Sequence, residues 1–145
     1  MKKIKIKKFT TLRLVKSEDL NHHKTLYAGR TAEWFVESGF VAVGSILKPD
    51  NIVCVKVHGM YFSKPVIPGD TLCFTSKIVN LGNSSIMVYV KVGKMYEESV
   101  IVDGFITFVK VDKNTKPVAH GLELLVENEE DKILVEKAKR IKHNQ

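Results

Sequence analysis

The stretch that decides the fold runs from Tyr27 to Asp50, YAGRTAEWFVESGFVAVGSILKPD. Phe35, Phe40, Val43 and Leu47 follow one another at intervals of five, three and four residues, which is the spacing of one helical face. Ala32, Trp34 and Val36 add apolar bulk at the sides. The segment therefore reads as a helix that is apolar nearly all round and hence buried. Pro49 is expected to stop it, because the residue before a proline is pushed out of the helical region. Within the apolar run from Phe35 to Leu47 stands one acidic side chain, Glu37.

Outward from this helix the period changes. NIVCVKVHG, TLCFTSKIV, SSIMVYVKVG and SVIVDGFITFVKV are β-branched and partly alternating, the pattern of strands. Pro68 and Gly69 of VIPGD mark a tight turn, VNLGNSS reads as a hairpin connection, and DKNTKP is the next turn. Gly104 interrupts the last long strand, where a bulge or a close approach of another group is expected. Before the helix, FTTLRLV (9–15) reads as a first strand and KSEDLNHHKTL (16–26) as a polar loop. After the strands, ENEEDKILVEKAKRIKHNQ (127–145) reads as an amphipathic helix with acids leading and bases trailing, as the macrodipole favours. Ile133, Leu134 and Ala138 are its expected inward face. One long helix against a mostly antiparallel sheet is an α+β domain; the helix covers one face of the sheet, and a second subunit would finish the cover.

The chain has 145 residues, 44% hydrophobic and 27% charged. That is enough for a single core without disulfide staples. It divides into a basic arm (1–8), one domain (9–126) and the C-terminal helix (127–145). No apolar run reaches the roughly 18 residues of a membrane span. The Lys-rich start lacks the apolar stretch of a signal peptide, so a cytoplasmic protein without membrane contact is expected. Cys54 and Cys73 lie in strand-like runs and read as small buried hydrophobes in a reducing compartment. The formal charge is +7, but residues 1–8 carry five lysines and no acid. The body is nearly neutral, and lysines outnumber arginines, which speaks against nucleic acid as a partner. The arm reads as a Lys-protected edge strand.

Glu37 is the outstanding chemical group. A carboxylate in apolar surroundings is expensive unless paired, and such placement is how proteins prepare general bases. The other reading has Glu37 at the helix edge, paired with a basic residue. Asn21-His22-His23 precedes the helix start, where backbone N–H groups point outward and can hold a carbonyl oxygen, and Gly29 would let backbone approach a ligand closely. Asn21 either orients a water or a substrate carbonyl, or is an ordinary loop asparagine. His22 and His23 lack a third ligand at metal spacing, and His58 reads as structural or rim-lining. Neither G-x-S-x-G nor a phosphate-binding glycine loop occurs, and no metal or cofactor is expected.

DLNHHKTLYAGRTAEWFVESGF (19–40) resembles the Asn loop and central helix of hot-dog-fold acyl-CoA thioesterases. VKVHGMYFSKPVIPGDTL resembles that family's strand, its aromatic-x-x-Pro-Val turn and its Gly-Asp. VNLGNSSIMVYVKV resembles its CoA-lining Gly-x-x-Ser segment, and FVKVDKNTKP its last strand and turn. The likeness keeps its order over roughly residues 10 to 120. It implies a hot-dog fold, a long central helix wrapped by a curved antiparallel sheet. It also implies hydrolysis of acyl-CoA thioesters, with CoA as part of the substrate. In this reading Glu37 and Asn21 are catalytic and the Ala28–Gly29 amides form the oxyanion site. Trp34 and Phe40 line the acyl chain, and Arg30, Lys64, Ser85 and Lys91 meet CoA. A homodimer or larger homo-oligomer follows, the Asn loop of one subunit facing the acid of the other. Two departures stand out. The family's Gly-Gly is Ala28-Gly29 here, and its usual acid position falls on Val36, one residue before Glu37. Loss of the acid would leave a non-hydrolytic acyl-CoA or acyl-carrier binding module. Dehydratases on this fold bring a catalytic histidine, and only His22, His23 and His58 lie near the site.

Overall fold

The computed structural model describes residues 1–144; Gln145 lies outside the described residues. The order is β1 (Lys2–Lys5), β2 (Phe9–Leu14), α1 (Ala28–Gly44), β3 (Ile52–Val57), β4 (Thr71–Leu81), β5 (Ser85–Lys94), β6 (Val100–Lys110), β7 (Leu122–Leu125) and α2 (Glu129–His143). Five strands form one antiparallel sheet in the order β2-β4-β5-β6-β3. The basic arm forms a strand: Lys2–Lys5 pair in parallel with Leu122–Leu125.

Helix α1 lies on one face of the large sheet. Leu72 and Phe74 of β4, Ile86, Val88, Val90 and Val92 of β5, and Ile106 and Phe108 of β6 form its bed, all fully buried. Their period of two is the strand alternation. Phe35, Ala42 and Val43 of α1 are fully buried against them. Gly39 lets the helix approach closely, since a Cβ there would lie 2.9 Å from Cδ1 of Ile106.

Several expectations from the sequence are corrected by the structure. First, α1 is not apolar all round in the single chain: Glu33, Glu37 and Val41 are exposed. The far side of a helix lying on a sheet faces solvent unless another element covers it. Second, α1 ends at Gly44, before Pro49. The Ser45 hydroxyl donates to Ala42 O at 2.6 Å, and the Ile46 and Leu47 amides turn back to Val43 O. Third, the chain covers part of the sheet's other face itself. There Val135 and Ala138 of α2 pack with Val79, Met87 and Phe105. Ile133 is exposed, and Val135 takes the inward place expected for it. Asn128 caps α2 by accepting from the Asp131 amide, and Asp131 holds Lys77 Nζ of β4 at 2.8 Å. The cysteines also differ from expectation: Cys54 is exposed on β3 and Cys73 is partly exposed. Cys54 lies on an edge strand whose residues from Cys54 to Val57 have no neighbouring strand on one side.

The turn and the interrupting glycine are as read. Gly69 has φ +91° and the Asp70 amide donates to Ile67 O, a turn that needs glycine at its third position. Gly104 marks a close approach, because a Cβ there would stand 2.5 Å from the Gly59 carbonyl oxygen. Backbone cannot yield as a flexible side chain can. Gly104→Ala is therefore expected to destabilise the protein by about 1–3 kcal/mol, measured as a lower midpoint in thermal or urea unfolding.

Candidate active site

The loop between β2 and α1 is built around two side chains. Asn21 Oδ1 accepts from the His23 amide at 2.8 Å and the Thr25 amide at 3.2 Å, and its Nδ2 donates to Thr25 Oγ1. This is an Asx-type turn, and it carries Lys24 into the left-handed region at φ 62°. Buried Asp19 accepts from the Lys16 amide and pairs with Arg30 Nε at 3.2 Å, while its own carbonyl takes the Tyr27 amide. The loop is thereby tied to the first turn of α1. No side chain caps that helix start, so its leading N–H groups remain available to an acceptor. The exposed Tyr27 ring lies over Gly29, where a Cβ would meet it at 2.4 Å unless the ring turned aside.

Two hollows result. One, of about 260 Å³, brings together Asn21, Thr25, Ala28, Thr31, Phe62 and Lys64. Among the described residues, no carboxylate pairs with Lys64, which leaves it as a free cation beside the helix start. The other, of about 460 Å³, holds Arg13, Asp19, Arg30, Glu33, Trp34 and Glu37. Asn21 and Glu37 therefore line different hollows of one chain.

Glu37 is not the enclosed carboxylate expected of it. Its side chain is 50% exposed and accepts from Arg13 Nη2 at 2.6 Å. The alternative reading, pairing at the helix edge, describes its geometry. A position on the outer side of α1 explains the exposure, because the helix buries Trp34, Phe35 and Ser38 around it. Arg30 is likewise committed: Asp19 and Glu33 both hold its guanidinium. Trp34 is buried and packs edge-on against Phe74. Phe40 packs edge-on against Phe108, so both rings belong largely to the core. Ser85 and Lys91 lie on the sheet face turned away from α1, with Ser85 Oγ near Lys142 Nζ at 3.4 Å. They line neither hollow.

His58 is tied to β6. Its ring nitrogen Nε2 lies 2.6 Å from Thr107 Oγ1 and its amide donates to Phe105 O. Burial, and then the Lys56 charge, push its imidazole below the ordinary value of 6.5. Arg13 and Asp19 were not singled out by the sequence reading. Asp19 had a signal in the acidic SED run before the Asn loop; Arg13 looks like any strand arginine.

Two measurements follow from this geometry. Asn21→Ala removes the acceptor that closes the loop and should lower the unfolding midpoint, whereas Asn21→Asp keeps that acceptor and should stay near wild type. For His58, the unfolded chain takes up a proton before the folded one as pH falls through about 6.5. Stability should therefore decline below that pH, and less steeply in His58→Gln, as read by urea unfolding from pH 7.5 to 5.

Comparisons with known proteins bear on the whole arrangement. The model of the thioesterase superfamily matches residues 23–94. An uncharacterized acyl-CoA thioester hydrolase of Bacillus subtilis is 29% identical over 104 residues, 69% of this chain and 60% of that protein. The match thus spans less than two thirds of that relative. An acyl-CoA hydrolase of Staphylococcus aureus, solved with butyryl coenzyme A and coenzyme A, superposes with a TM-score of 0.86 at 22% identity. That superposition covers 99% of this chain and 88% of the other. A hexameric thioesterase of Yersinia pestis superposes with a TM-score of 0.69 at 26% identity, over 75% of this chain and 91% of its own. Alanine variants of the S. aureus enzyme at an aspartate and an asparagine have also been solved. There the asparagine precedes the aspartate by the interval that separates Asn21 from Val36 here.

Proposed function

The chain belongs to the thioesterase superfamily, and from that membership we propose that it hydrolyses acyl-CoA thioesters to a free acid and CoA, with Glu37 as the general base. The observation that carries the reading is the family match itself. It runs over residues 23–94 and so takes in the helix start, Glu37 of α1 and strands β3, β4 and β5.

In this reading water attacks the thioester carbonyl carbon and Glu37 takes its proton. The oxyanion of the tetrahedral intermediate is met by the free first-turn N–H groups at Ala28 and Gly29. The C–S bond then breaks, and the leaving CoA sulfur recovers the proton from Glu37. Lys64 serves a CoA phosphate as a point charge. Arg30, already held by two carboxylates, serves the loop instead. Asn21 helps to place the water or the carbonyl. No cofactor takes part beyond the CoA of the substrate.

The site is completed between subunits. Asn21 and Glu37 line separate hollows in one chain, and in this reading a second copy brings its Asn hollow to Glu37. Edge strand β3 leaves Val55 and Val57 exposed, a row suited to pairing with its own copy. The hexameric state of the Y. pestis relative favours the same kind of assembly. Catalysis on cytosolic acyl-CoA fits this placement.

Thiol release from acyl-CoAs of acetyl to palmitoyl length tests the proposal. Wild type should turn over at least one of them, and Glu37→Gln should lose about 10²–10⁴-fold in kcat at an unchanged melting temperature. Full turnover in Glu37→Gln would remove Glu37 from the chemistry. CoA-induced thermal stabilisation without any thiol release would leave the chain a binding module.

A further inference from the structure

We propose that Arg13 is a positioning residue for Glu37, fixing the carboxylate in the orientation from which it accepts the proton of the attacking water. The proposal rests on the hydrolytic reading above.

Arg13 reaches the helix from β2, which alternates outward and inward so that Phe9, Thr11 and Arg13 turn toward α1. Its guanidinium is held on two sides. Nη2 donates to Glu37 Oε2 at 2.6 Å, and Cζ sits over the Trp34 ring, 5.4 Å from its centre. A planar guanidinium can satisfy a carboxylate with one edge while its face lies on an aromatic ring. Trp34 is itself locked edge-on against buried Phe74, with centroids 6.1 Å apart. A line of contacts therefore runs from Phe74 through Trp34 and Arg13 to Glu37, carrying the rigidity of the core to a carboxylate at the surface.

Arg13 Nε supplies the second observation. It is buried without a hydrogen-bond partner, although buried donors are ordinarily paired. The printed contacts of the guanidinium are those of Nη2 with Glu37 and of Cζ over Trp34. A glutamate left to itself at 50% exposure samples many rotamers, whereas a general base must stay within hydrogen-bond reach of its proton. Lysine would supply the charge without the planar face.

The test compares steady-state hydrolysis by wild type, Arg13→Ala, Arg13→Lys, Glu37→Gln and the Arg13→Ala/Glu37→Gln pair, on whichever acyl-CoA the wild type turns over fastest. Arg13→Ala should lower kcat by about 10- to 100-fold with KM held within about twofold. Arg13→Lys should recover part of that loss. Guanidinium ion, added well below concentrations that unfold the protein, should restore part of the kcat of Arg13→Ala, which a merely structural defect would not allow. On the Glu37→Gln background, Arg13→Ala should change nothing further. Arg13→Ala with wild-type kcat, a change in KM alone, or an undiminished loss on the Glu37→Gln background would each overturn the positioning role while leaving the hydrolase reading in place. Full activity in Glu37→Gln, or a wild type without turnover, would overturn both.

Discussion

The seating of α1 on the sheet is the constraint on which the rest of the structure depends. Phe35, Ala42 and Val43 are fully buried against the inward rows of β4, β5 and β6, and Gly39 lets the helix lie close to Ile106 and Phe108. Burying apolar area on this scale is the main favourable term in folding. It also fixes which residues of α1 face water. With Phe35 and Gly39 inward, Glu33 and Glu37 have only the outer side available, and the rim chemistry is arranged around that fact.

Charge at the rim is handled by pairing rather than by enclosure. Arg30 joins buried Asp19 to Glu33, and Arg13 joins Trp34 to Glu37. Arginine suits both places because its planar fork keeps several bonds in one geometry. The two pairs do different things. Asp19 and Arg30 tie the Asn loop to the start of α1, which sets where the free helix N–H groups point. Arg13 restrains a carboxylate on the outer face of the same helix. On the far side of the sheet, Lys77 and Asp131 anchor α2 in a comparable way, leaving the α1 side free for the site.

Much of this was legible residue by residue. Alternation in β4, β5 and β6 showed the strands, and the spacing of Phe35, Phe40 and Val43 showed the helix. Pro68-Gly69 marked a turn and Gly104 a close approach. The errors share a cause. Hydrophobic pattern says that a residue is apolar, not which neighbour covers it. Ile133 and Val135 are alike in chemistry but lie on different sides of α2. Cys54 lies in an apolar run and is nevertheless exposed, because β3 is an edge strand. Which face of the sheet Ser85 and Lys91 occupy is likewise set by strand register and not by their own segment.

The sequence by itself determined the α+β class, the long helix with one carboxylate in its apolar run, and the likeness of the Asn loop to a known family. Those are local properties, carried by periodicity and by short motifs read along the chain. Only the tertiary structure decided that Glu37 is half-exposed and bound to Arg13, that Arg30 is already spoken for, and that Asn21 and Glu37 open into separate hollows. Those are relations between residues far apart in the chain. They depend on strand order and on the rotation of α1 about its axis, which no periodicity within a single segment encodes.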